Sequence, residues 1–297
     1  MPRSFAPVVA VALATLCPIT AHAQDAAPPT AAPPTAAPPA AAETPAVPAP
    51  PAPVEKTPVQ EGDELLAAKH DLKSFERAVQ LFQTELAKKP GDVDLQLKRA
   101  TALNAVMRAK TNANLALVNG TSDTPAAKRL WGDLGKRSNE LMGAVVKARP
   151  KDLDVALQAA EAYMYFSSSM GIIQAIVSGA ANEYKKNADT ILALDKKADD
   201  GVGDIYHGAF FIVAPWPMSD VKKAREHFAK AAAIAPRSVR NRYYVGLAAL
   251  KDGDLATAEK EFTFARDNPC TTKSELDYCS ALKAQAKLGL EEVAKKR

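Results

Sequence analysis

Four times along this chain a helical stretch ends in Lys, Arg or Ala, meets a breaker and starts again. The junctions are LAKKPGDVDLQL around Pro90, VKARPKDLDVAL around Pro150, LALDKKADDGVG around Ala198 and AIAPRSVRNRYY around Pro236. Such a sequence stops one helix and caps the next. Ten residues past the breakers stand small residues, Ala100, Ala160, Gly208 and Gly246, and three further on stand Leu103, Tyr163, Phe211 and Ala249. A small residue followed one turn later by a larger one suits a helix that a neighbour crosses closely. Aromatics at 6% and only 14 glycines are low for a turn-rich β protein, so the pattern predicts an all-α chain of about ten helices. Gly120, Gly171, Gly179, Gly201 and Gly253 are expected at turns or bends.

The helix before Pro236 and the one before Pro269 share a face. Ala224, Phe228 and Ala231 lie on one side of VKKAREHFAKAAAIAP, and Ala258, Phe262 and Ala265 reproduce it in GDLATAEKEFTFARDNP. This resembles the tetratricopeptide repeat (TPR) family, with a small residue in the first helix, an Ala, aromatic, Ala face in the second and a closing proline. Earlier units keep the face more loosely, with Ala78 and Phe82, then Met142 and Val145. The breakers, counted on to Pro269, fall 60, 48, 38 and 33 residues apart, so only the C-terminal units approach the family period of about 34. The expectation is a TPR-like α-solenoid of four to five helix-turn-helix units over 61–297, with enlarged N-terminal repeats. A polar insertion, LVNGTSDTPAAK, swells the first unit, and a last helix over 274–294 would cap the stack.

The enlarged repeats, with ILALDKKADDGVGDIYHGAFF followed by SDVKKAREHFAKAAAIAP, also resemble the T-component family associated with TRAP-type solute transporters. That resemblance implies a periplasmic, non-enzymatic partner of a solute-binding protein, with a ligand channel between helices. Its members are typically lipoproteins without an Ala/Pro tether, and here the sequence departs from them.

Residues 1–23 read as a secretory signal: Arg3, an apolar run from Phe5 to Leu16, and Ala21 and Ala23 before Gln24. The run is too short to span a bilayer comfortably, and Leu16 before Cys17 argues against lipid anchoring. Residues 24–60 form an Ala/Pro tether with an AAPPT repeat that cannot bury a core. The expected compartment is therefore the periplasm, or another exported location, with no membrane span after cleavage. In an oxidising compartment Cys270 and Cys279 would pair as a structural disulfide.

A net charge of +4, from 38 basic and 34 acidic residues, is too small for a general nucleic-acid binder. No metal-ligand cluster, phosphate loop or nucleophile elbow appears, so neither catalytic residues nor a cofactor or metal is assigned. His207 and His227 read as partly buried helix residues, and Ser167, Ser168 and Ser169 as covering a helix bend rather than lining a pocket. The apolar run through Ile172 and Ile176 is core by default. The sharper alternative is a channel shared with Tyr163, Phe166, Phe210 and Phe211. Trp216 is expected as a loop anchor, the alternative being an exposed partner contact. Arg240 and Tyr244 would stand on the concave face, open to an acidic peptide, or else belong to a solvated helix start. The functional expectation is a scaffold that binds a protein partner of the cell envelope through its concave surface, with a homo-oligomer also compatible.

Overall fold

The structure is a computed structural model that describes residues 55–68 and 70–297. The signal, the tether up to residue 54 and Cys17 lie outside the described residues. Helices α1 (Pro58–Ala68) and α2 (Leu72–Lys88) make the first hairpin, α1 starting three residues before the expected boundary at Glu61. Next, α3 (Val93–Thr111) leads through a two-stranded ribbon, β1 (Ala116–Leu117) and β2 (Gly120–Thr121), into α4 (Pro125–Leu130). A π-helical turn at Trp131–Gly135 joins α4 to α5 (Lys136–Ala148), which packs back on α3. Helix α6 (Leu153–Ser169) pairs with α8 (Ala180–Leu194) beyond the short α7 (Ile172–Val177). The hairpins α9 (Val202–Val213) with α10 (Val221–Ile234) and α11 (Val239–Asp252) with α12 (Leu255–Asp267) follow. Finally α13 (Lys273–Leu276) precedes α14 (Cys279–Lys296), which packs on α12 and ends the stack. The result is an all-α solenoid of five hairpins and a cap. The short α4, α7 and α13 account for most of the difference from ten helices.

Three of the four junctions share one construction. Two residues past the breaker, Asp92, Asp152 and Ser238 accept backbone N–H groups of Leu95, Val155 and Asn241 at 3.1, 3.3 and 3.1 Å. The fourth differs: Asp199 and Asp200 have φ of 40° and 57°, in the left-handed region costly for a residue with a Cβ. That turn is held from α11, where Arg240 Nη2 donates to the Asp199 carbonyl at 2.5 Å and Asn241 Nδ2 to the Asp200 carbonyl at 2.9 Å.

Hairpins interlock by seating a phenylalanine on a glycine. A Cβ on Gly208 would lie 2.3 Å from the Phe228 ring, and one on Gly246 would lie 2.9 Å from Phe262. Phe262 is gripped from its other side by Gly289 of α14, whose Cβ would lie 2.4 Å away. The repeat-face residues Ala224, Phe228, Ala231, Ala258, Phe262 and Ala265 are all fully buried. In the looser units Ala100 meets Met142 and Val145, and Ala160 meets Ile191. The first hairpin repeats the regular device with Gly62 against Phe82, a pair the sequence pattern did not expose because no breaker precedes it.

The insertion after α3 is not an outward excursion. Asn112, Ala113 and Asn114 all take positive φ and turn the chain inward, fixed by Asn114 Nδ2 donating to Ser168 Oγ at 2.8 Å. Leu115, Ala116 and Val118 are then buried against the α11–α14 core, where Tyr243 donates to the Ala116 carbonyl at 2.7 Å. The solenoid's inner face is thus occupied by its own chain. All five glycines expected at turns have positive φ, and Gly171 and Gly179 bracket α7.

Candidate functional site

Where the enlarged units face the C-terminal ones, the interior holds a partly open cavity of about 440 Å³. One side is charged. Arg108, on α3, donates from Nη1 to both carboxylate oxygens of Glu161 on α6 at 3.0 and 2.9 Å, and from Nε to Asp277 at 2.7 Å. His70 reaches the same Asp277 through Nδ1 at 2.6 Å, so residues more than two hundred positions apart close the two ends of the stack onto one carboxylate. Burial alone would depress the Arg108 guanidinium, but Glu161 and Asp277 beside it hold its pKa above the ordinary value. Burial pushes Glu161 the other way, upward, against the pull of Arg108. Arg240 donates to Asp199 Oδ2 at 2.8 Å.

The segment carrying Asp277 is itself fixed. Cys270 and Cys279 form a disulfide with sulfurs 2.16 Å apart, enclosing α13. Within that loop Glu275, fully buried, accepts from Ser238 Oγ and from the Arg240 backbone N–H, the latter at 2.9 Å. The C-terminal loop thus caps α11 while presenting Asp277 and Tyr278 to the cavity.

The rest of the lining is apolar and aromatic, with Ile176, Ile205, Phe210 and Val213 alongside Tyr184, Tyr206, Tyr244 and Tyr278. Tyr184 and Tyr206 meet edge to face with centroids 5.7 Å apart, and Tyr244 stacks on Phe228 at 4.9 Å. Burial raises the pKa of all four phenols, that of Tyr244 to about 12. They are neutral hydroxyls at any physiological pH.

Of the residues singled out from sequence, Ile176, Phe210, Arg240 and Tyr244 come together in the lining of this cavity. Arg240 and Tyr244 are not on an open concave face: they are 3% and 4% exposed, Arg240 turned onto Asp199 and Tyr244 packed against Phe228 and Tyr243. Tyr163 and Phe166 pack on each other with centroids 6.4 Å apart, outside the cavity lining, and Phe211 stacks on His227. Ile172 opens α7, its side chain outside the described residues. Trp216 is not a loop anchor, being 87% exposed. Ser167 and Ser169 bond back to the Met164 and Phe166 carbonyls, as a bend requires, yet Ser167 and Ser168 also line the cavity. His207 and His227 stack at 4.9 Å, each on its own aspartate, Asp189 and Asp204. Among the described residues no three His, Cys, Asp or Glu side chains converge as a metal site.

Sequence reasoning missed Arg108, Glu161, Asp277 and the tyrosines of α8, α9 and the C-terminal loop. The one visible signal was Glu161, a carboxylate beside Ala160 in the apolar run AEAYMYF.

No protein-family model matches the sequence, and no curated protein does either. Solved structures do. A thermophilic TPR protein of Thermus thermophilus, TTC0263, overlaps 78% of this chain and 97% of its own at 17% identity and a TM-score of 0.50. Smaller TM-scores of 0.33 and 0.32 relate it to the MamA protein and to the TPR2AB domain of yeast Sti1. MamA is 15% identical over 58% of this chain and 93% of that one, and Sti1 is 14% identical over 80% and 97%. The fold is that of a tetratricopeptide-repeat solenoid. The likeness to the T-component family is not supported by these comparisons.

Proposed function

We propose that this chain is an exported, non-enzymatic TPR-type scaffold of the periplasm that holds a small, largely apolar molecule in its interior. The observation that carries the reading is the cavity of about 440 Å³ between α6, α8 and α9, whose size and apolar lining with a few convergent polar groups suit a small ligand. The signal-like N-terminus supports export. Native mass spectrometry of protein purified from its own cell envelope tests both parts. The expected result is a chain beginning at Gln24 with an additional mass of a few hundred daltons. A chain retaining residues 1–23, or a mass equal to polypeptide alone, overturns the corresponding part.

A second reading, engagement of a protein partner, is favoured by exposed apolar side chains. Trp216 stands 87% exposed between two prolines, and Ile173 and Val177 on α7 are 73% and 76% exposed. Partner binding would then use this outer surface in place of the covered inner face. Cross-linking in envelope extracts should capture one protein whose yield falls with Trp216→Ala or with Ile173→Ser and Val177→Ser. Equal capture by all variants would remove this surface from the interaction.

A further inference from the structure

Resting on the interior-ligand reading, we infer that the cavity selects an uncharged amphiphile, an apolar molecule bearing a hydroxyl or carbonyl group, over an anionic or cationic one of equal length. The charged groups in the wall are already engaged with one another. Arg108 lies between two carboxylates, Glu161 and Asp277. An incoming anion therefore meets a cation that is already outnumbered. Glu161 accepts both bonds from Arg108 and a third from Tyr165 at 3.3 Å, while Asp277 is shared by His70 and Arg108, leaving little for an ammonium to displace. Arg240 is held by Asp199, and Asp123 by Lys128 at 2.8 Å. Lys273, on the cavity lining, is solvent-exposed, where its charge is screened. An ionic head drawn in here would lose its hydration without gaining a free counter-charge.

The tyrosines differ. Among the described residues none accepts from or donates to the hydroxyls of Tyr184, Tyr206 or Tyr278, all three of which line the cavity. A neutral phenol both donates and accepts, so three such groups beside Ile205 and Phe210 match a hydroxyl or carbonyl on an apolar body.

The test is a chain-matched series, decanol, decanoate and decylammonium, titrated at neutral pH below micelle formation into the full-length chain freed of bound material. Calorimetry should show saturable binding of decanol at one site and binding of both ions at least about tenfold weaker. Tyr206→Phe and Tyr184→Phe should each weaken decanol several-fold with the thermal midpoint unchanged, a split that a purely structural role would not give. Decanoate or decylammonium binding as tightly as decanol would overturn the selectivity while leaving a ligand cavity standing. Undiminished decanol binding by both phenylalanine variants would overturn the role of the hydroxyls. Binding by none of the three would overturn the ligand reading itself.

Discussion

The C-terminal hairpins α9–α10 and α11–α12 and the enlarged hairpins α3–α5 and α6–α8 solve one packing problem in two ways. In the regular units a second-helix phenylalanine sits directly on a first-helix glycine, and one continuous buried cluster runs from Ile205 to Val293. In the enlarged units buried side chains fall into smaller separate groups, around Ala100 with Met142, Met107 with Trp131, and Ala160 with Ile191. The surplus residues there build the β1–β2 ribbon, the π turn at Trp131–Gly135 and α7. In the regular units each second helix is seated on its first, whereas the enlarged units supply Arg108, Glu161 and Tyr184 to a cavity that Tyr206 of α9 and Tyr244 of α11 complete from the regular side. A cavity is what a repeat gains by losing its register.

On that contrast the largest loss should come from the most tightly gripped ring. Phe262→Ala is expected to cost about 3 to 5 kcal/mol, because the glycines on both sides offer no side chain to fill the void. Urea denaturation followed by helical circular dichroism measures it. A cost below about 1 kcal/mol would mean that glycine–phenylalanine contact does not hold the regular half.

The enlarged half depends instead on its ion pairs. Arg108→Ala would leave Glu161 buried without its cation and Asp277 with His70 as its remaining partner, for an expected loss of about 3 to 5 kcal/mol. Hydrogen exchange should locate the weakening in α3 and α6 and spare α11 and α12. Uniform loss of protection would show the two halves to be a single cooperative unit, and the contrast between them would be one of packing alone.

How far this was legible in the sequence follows the same division. The junctions at Pro90, Pro150 and Pro236, the faces Ala224–Phe228–Ala231 and Ala258–Phe262–Ala265, and the glycine turns are local signals, each contained within one hairpin. The cavity is not local: Arg108 meets Glu161 across 53 positions and Asp277 across 169, and His70 meets Asp277 across 207. Periodicity is silent about such pairs, because a charged residue on an inner face reads the same whether it points at solvent or at a partner from the far end. Arg240 is the instructive case. Its position at a helix start suggested an open surface, and only the left-handed turn at Asp199 and Asp200 shows why it had to be buried.

Two glycines sharpen the comparison at smaller cost. Gly208→Ala pushes a methyl into the Phe228 ring and should destabilise by about 1 to 3 kcal/mol. Gly143, in α5 of an enlarged unit, has nothing within 4 Å of its added Cβ, so Gly143→Ala should stabilise by about 0.5 to 1 kcal/mol through helix propensity. Thermal melts of the pair should shift in opposite directions, and a shared sign would break the distinction between packed and unpacked glycines.

The smallest effect belongs to α7, the element on which the enlarged half leaves most apolar surface outside. Ile173 and Val177 face solvent, so replacing both by serine removes little burial and should change stability by no more than about 0.5 kcal/mol per site. Yet α7 also contributes Ala175 and Ile176 to the cavity wall between two glycines of positive φ. Ile176→Ser should therefore weaken interior binding of decanol while the outer pair leaves it unchanged, since only the inward side of the helix meets the ligand. Equal loss from inner and outer substitutions would mean that α7 acts as a body that moves, with its exposed side chains setting the position of the wall.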